Sequence, residues 1–230
     1  MGLTLAGSSA IFLYLTAGLL LGRRLGSTSG LSTTLRSGAL VSSALAVLIH
    51  AAVLYLTLFT TDGLNLAFFH ALSLTAWLIT ALLTLLAIRQ PVENLGIVLL
   101  PGAAITVMFQ LVFVGEPPQL ITVKSPIQAH IILSIAAYGT LTLAAMQAIL
   151  LSIQNRQLHN HRPGGFMRAL PPLKVMEDLL FHMIGIGTAL LALSLLSGAF
   201  FLEDIFAQHL VHKTVLSILA WLLFSVLLWG

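Results

Sequence analysis

The chain has 230 residues, of which 58% are hydrophobic and 7% charged, and its mean hydropathy is +1.04. A water-soluble domain carries about 25% charged residues, so a soluble globular fold is excluded. The net charge of +3 does not point to a polyanion. The basic residues fall between apolar runs, where they act as topology signals, and no basic surface interleaved with aromatics is present to bind nucleic acid. With no cysteine in the chain, disulfides, thiolate ligands and a cysteine nucleophile are excluded as well.

Apolar runs of about 20 residues, each long enough to cross roughly 30 Å of hydrocarbon, recur along the whole chain. Unpaired backbone amides are not tolerated in lipid, so long runs without alternation predict helices rather than a barrel. The predicted fold is all-α, a polytopic transmembrane helical bundle forming one domain over 1–230. Its seven spans are predicted at roughly 8–22, 38–60, 66–88, 95–114, 126–153, 179–201 and 213–230. The first charged residue is Arg23, so the first run lacks the basic leader of a cleaved signal peptide and reads as a retained span. GRRLGSTSG, TTDGLN, RQPVEN, GEPPQ, NRQLHNHRPGGFMRALPP and FLEDIFAQ separate the spans as turn-rich loops. Of ten basic residues, Arg23, Arg24, Arg36, Arg89, Arg156, Arg162, Arg168 and Lys174 belong to the odd loops, against Lys124 and Lys213 in the even ones. The positive-inside rule makes the odd loops cytoplasmic and the N-terminus external. The last run, at Trp229-Gly230, lacks the basic flank of a cytoplasmic end. The natural chain is therefore expected to continue into an eighth span.

Ionisable groups inside a span are costly and mark functional candidates. His50 lies near the middle of span two, far from any charge. In span three, His70, Ser73, Trp77, Thr80 and Thr84 are spaced three and four apart, which makes one polar-aromatic stripe. His130, Ser134, Tyr138 and Leu141 share a face of span five, with His130 in its outer part. His182 lies in the inner part of span six. That span is also rich in small residues (Gly185, Gly187, Ala189, Ala192, Ser194, Ser197, Gly198) that admit a close helix or a flat ligand.

Two readings of the polar faces stand side by side: hydrogen bonds between helices, or a groove lined jointly by spans three and five. The histidines allow three uses. Each can be a hydrogen-bonded packing residue, a member of a proton relay, or an axial ligand of haem iron, for which an apolar bundle is a suitable host. His130 and His182 sit at opposite depths, so His50 is the better partner for either. Every Asp and Glu falls in a loop or at a span end, which argues against an ion pump. Glu203, Asp204, His209 and His212 form either an outer divalent-metal site or merely a wet hairpin tip. There is no HExxH, GxSxG or Walker loop, so no catalytic residue is assigned and the chain is not read as an enzyme.

Several stretches resemble the cytochrome c assembly membrane-protein superfamily, which includes CcsA, CcmC and HemX-like proteins. SPIQAHIILSIAAYGTLTLAAMQAILL is similar to the segment in which a histidine, here His130, is followed eight residues later by a tyrosine, here Tyr138. DLLFHMIGIGTALLALSLLSGAFF is similar to the next helix, which ends in a Gly-Ala pair, here Gly198-Ala199. HKTVLSILAWLLFSVLLWG is similar to the one after. These cover roughly 125–230, and TDGLNLAFFHALSLTAW extends a weaker likeness upstream; the pattern is nearest to the eight-span YpjD-like inner-membrane branch. The resemblance implies a multi-pass protein of a bacterial inner (plasma) membrane that binds or handles haem b, with His130 matching the first of two histidines flanking a tryptophan-rich WWD segment. Here no tryptophan lies between Gly198 and Trp221, so the WWD mode of haem presentation is not expected. The candidate cofactor-binding residues are His130, His50, His182, Tyr138 and Trp77. The alternative is a non-catalytic accessory subunit of another membrane protein such as a transporter, whose partners are lipid and that protein.

Overall fold

The structure, a computed structural model, describes residues 2–24, 29–60, 63–113, 120–121, 125–160, 170–201 and 211–229. Among them, seven helices are long and apolar enough to cross a membrane. They are α1 (Gly2–Arg24), α2 (Ser29–Leu58), α3 (Phe68–Arg89), α4 (Gly96–Val112), α5 (Ser125–His159), α6 (Leu173–Phe201) and α7 (Val211–Trp229). Each predicted span corresponds to one of these helices. The helices α5 and α6 run well beyond the predicted spans into the fifth loop, because a helix continues satisfying its own backbone after the hydrocarbon ends.

Two loops depart from their reading as plain turns. The strands β1 (Phe59–Thr60), β2 (Gly63–Asn65) and β3 (Leu120–Ile121) form a small antiparallel sheet in the order β1-β2-β3. Phe59 pairs with Leu64, and Leu64 pairs in turn with Ile121. The sheet caps the end of the bundle opposite the arginines and lets backbone groups between helices pair with one another.

The interior divides in two. One core joins α1, α2 and α4 around Tyr14, Ala46, Leu100 and Val107. The other joins α3, α5 and α6 around Leu83, Leu143, Ile184 and Met183. Small residues set the spacing of α5 and α6: a Cβ on Gly187 would lie 2.7 Å from Leu141 Cδ2, which no real contact allows. By contrast α7 leans on α6 with none of its residues buried.

The basic end of the bundle is tied by Glu93. This residue opens a 3₁₀ turn, Glu93–Leu95, that leads into α4, and it is 4% exposed. Arg24 Nη1 reaches its Oε1 at 2.6 Å and Arg36 Nε at 3.1 Å, while Arg36 Nη2 donates to Ala87 O at 2.7 Å. One carboxylate thus joins α1, α2 and the start of α4, and Arg36 extends the tie to α3. RQPVEN is therefore not a solvated loop around Glu93.

Candidate functional site

The polar stripe of α3 turns toward α1 and α2. His50, fully buried, meets Tyr14 Oη with Nδ1 at 3.2 Å and Ser73 Oγ with Nε2 at 2.9 Å. Tyr14 Oη also meets Thr80 Oγ1 at 3.2 Å. Trp77 Nε1 donates to Val47 O at 2.9 Å, and Thr84 Oγ1 approaches Ser43 Oγ at 3.4 Å. Of the two readings of these faces, interhelical hydrogen bonds and a groove shared by spans three and five, the shared groove is not formed, because the two faces point to different neighbours. Both ring nitrogens of His50 are occupied, and Trp77 is spent on a carbonyl in the same seam.

The face of α5 turns instead toward α6 and α7. His130 Nδ1 lies 3.0 Å from Ser194 O and 3.0 Å from Ser197 Oγ. Ser194 O can only accept, so the proton sits on Nδ1 and Nε2 keeps its lone pair. Nε2 has no partner among the described residues. Ser134 Oγ donates to His130 O at 2.8 Å and meets Ser194 Oγ at 2.7 Å, bracing the same turn. Tyr138 Oη reaches Ser217 Oγ of α7 at 3.2 Å. Around these residues opens a groove of about 460 Å³, lined by His130, Ser134 and Tyr138 of α5, Leu191, Ser194, Leu195, Leu196, Gly198 and Ala199 of α6, and Lys213, Thr214, Ser217 and Ile218 of α7.

This groove suits the group that the family likeness implies. An imidazole with a free Nε2, its other nitrogen donating to a carbonyl, is the ligand arrangement that orients a histidine on a metal. Leu191, Leu195, Leu196 and Ile218 supply an apolar wall. The volume lies in the range of about 300–1,000 Å³ seen for small-ligand sites. Lys213 offers a cation for a carboxylate at the rim. His130 is the one histidine in this lining, so the described residues offer one axial ligand there.

His182 lies elsewhere. It is exposed near the basic end of α6, with Nδ1 donating to Asp178 O at 2.6 Å. It borders a separate cleft of about 440 Å³ between α3, α5 and α6. Of the five candidates, the structure brings His130 and Tyr138 together, places His50 beside Trp77 in the other half, and leaves His182 apart. Of the outer metal-site reading, Glu203, Asp204 and His209 lie outside the described residues, and His212 is exposed on the first turn of α7. Sequence reasoning missed Tyr14, Ser194, Ser197 and Ser217 as partners. Only the small-residue run of span six hinted at two of them.

Residues 38–230 match the family described as cytochrome C assembly protein. The inner membrane protein YpjD of Escherichia coli K12 is 33% identical over 201 residues, covering 85% of this chain and 74% of that protein. A 28.8 kDa protein of Azospirillum brasilense, encoded in a nifR3-like 5′ region, is 28% identical over 167 residues, covering 68% of this chain and 62% of its own. No solved structure matches. With seven membrane-length helices and a match over most of its length, the chain belongs to the cytochrome c assembly protein family.

Proposed function

We propose that this chain is a haem-handling protein of the bacterial inner membrane that takes haem b in the α5–α6–α7 groove, with His130 as axial ligand and Tyr138 on the wall. The observation that carries the reading is the setting of His130: its Nδ1 lies against the Ser194 carbonyl, and its Nε2 has no partner among the described residues beside an apolar groove. Bound haem would supply the redox or transfer chemistry. The chain's own residues orient the imidazole through Ser194 and Ser197, exclude water with leucines, and hold a carboxylate at Lys213. No catalytic residue is assigned to the protein itself, and the absence of tryptophan from Gly198 to Trp221 makes a WWD mode of presentation unavailable. Inner-membrane placement rests on the likeness to YpjD.

Titrating the purified protein with haem tests this by absorption. A Soret band should form with wild type and with His182→Ala, and should weaken at least tenfold in affinity with His130→Ala, since the metal–nitrogen bond is lost. No band in the wild type, or equal affinity in His130→Ala, would overturn the reading.

A second reading, an accessory subunit that steadies another membrane protein, is favoured by α7, none of whose residues is fully buried and whose Leu216, Leu219, Leu223 and Val226 are exposed. Purification from native membranes discriminates: a stoichiometric partner that is lost when Leu219 and Leu223 are both changed to Ala supports it, and a partnerless protein counts against it.

A further inference from the structure

The half of the molecule away from the groove holds buried titratable side chains that haem handling does not use. We propose that α1, α2 and α3 enclose a proton-transfer path between His70 at the sheet end and Glu93 at the basic end, with His50 as its central relay.

The upper segment is continuous. Ser73 Oγ lies 2.9 Å from His50 Nε2, His50 Nδ1 lies 3.2 Å from Tyr14 Oη, and Tyr14 Oη lies 3.2 Å from Thr80 Oγ1. All four side chains are buried. His70, half-buried, lies one turn above Ser73 on the same face of α3. The lower segment begins at Glu93, whose Oε2 is buried and has no hydrogen-bond partner among the described residues. Beside it lies a cavity of about 10 Å³ whose lining includes Glu93, Ser43 and Thr84. That is room for about one water, and three polar groups are enough to hold it. Thr84 and Thr80 are one turn apart on α3. The path requires the Thr80 and Thr84 hydroxyls to leave the carbonyls they now bond and turn toward each other, a rotation that the two χ1 wells of threonine in a helix allow. From His70 to Thr84 the path follows α3 for about 21 Å at 1.5 Å per residue, most of the roughly 30 Å of hydrocarbon.

The geometry places an imidazole engaged at both nitrogens between two hydroxyls, so it can accept a proton at one nitrogen and release one at the other. That arrangement lets charge pass without building up. Tyr14 Oη–H breaks as Nδ1–H forms, while Nε2–H breaks and its proton goes to Ser73 Oγ as the hydroxyl proton Ser73 already carried leaves toward His70. Tyr14 regains a proton from Thr80, one proton enters at the Glu93 water for each that leaves toward His70, and no electrons move. Rotation of the hydroxyls and a flip of the imidazole ring restore the starting polarity. The path runs equally well in reverse, so its direction is set by the pH difference or potential across the membrane.

The experiment uses the full chain in liposomes loaded with a pH-sensitive dye, with a potassium diffusion potential set by valinomycin to drive protons inward. Wild type should acidify the lumen faster than protein-free liposomes. Tyr14→Phe, which removes the transferable proton, and His50→Gln, which keeps hydrogen bonds but cannot relay through two ring nitrogens, should each lower the protein-dependent rate at least tenfold. Thermal unfolding of both variants confirms that they are folded, and a third variant, Thr80→Val, replaces either one that is not. Flux no greater than in protein-free liposomes overturns the path, as does wild-type flux in any folded variant. The assay needs no haem, so failure of the haem reading leaves it unaffected.

Discussion

Replacing Glu93 by Gln should destabilise the protein by about 3 kcal/mol, near the lower end of what breaking a buried ion pair costs. The carboxylate is shared: Arg24 and Arg36 both bind Oε1, and their side chains are 22% and 33% exposed, against 5% for Glu93. Without it two guanidinium groups face each other across the junction of α1, α2 and α4. Their partial exposure keeps some hydration, which holds the cost to the lower end. Unfolding in mild detergent, followed by helical circular dichroism against denaturant, measures the difference. Changing all three residues together, Arg24→Met/Arg36→Met/Glu93→Leu, removes the uncompensated charge and should recover most of the loss. A Glu93→Gln protein as stable as wild type would show that the arginines are satisfied by water and that Glu93 does not tie the basic end.

The second large effect belongs to His50. His50→Leu conserves apolar volume but strips partners from Tyr14 and Ser73, both buried. An orphaned buried hydroxyl costs about 1–3 kcal/mol, whereas a single hydrogen bond between membrane helices averages about 0.6 kcal/mol. The membrane figure applies because the unfolded helices also find partners, so about 1 kcal/mol is expected for the two hydrogen bonds together. Tyr14→Phe should cost about half as much, because His50 keeps Ser73 and Thr80 keeps Ala76 O and Trp77 O, each at 3.0 Å. The same unfolding measurement ranks the two. His50→Leu matching wild type would mean that the seam adds nothing to stability.

The spans were legible because hydrocarbon thickness imposes a length that any sequence must meet. The stripe Ser73, Trp77, Thr80 and Thr84 was legible for a similar reason, since helical period places those residues on one face. Period does not say which neighbour that face meets. It was compatible with span five and turned out to meet α1 and α2, whose contributions, Tyr14, Ser43 and the carbonyl of Val47, look ordinary inside apolar runs. Glu93 was hidden by its context: Pro91, Glu93 and Asn94 read as turn chemistry, and only its acidity, four residues after Arg89 on the arginine-rich side, signalled a partner. The strands were too short, at two or three residues, for an alternating pattern to show. Of the histidines, the sequence assigns depth but not tautomer. What separates His130 from His50 is which groups occupy their ring nitrogens, and that depends on Ser194 and Ser197, more than sixty positions away.

The groove beside His130 is walled by the outer turns of three membrane helices, one of which, α7, has no fully buried residue. An apolar ligand therefore meets the groove from the bilayer and has already left water before it binds. Each buried CH₂ adds about 0.8 kcal/mol to that prior partitioning, so occupancy follows the ligand's mole fraction in lipid rather than its aqueous concentration. Adding lipid or detergent at constant total ligand should dilute the bound form, and binding constants for this groove are comparable only when expressed per lipid.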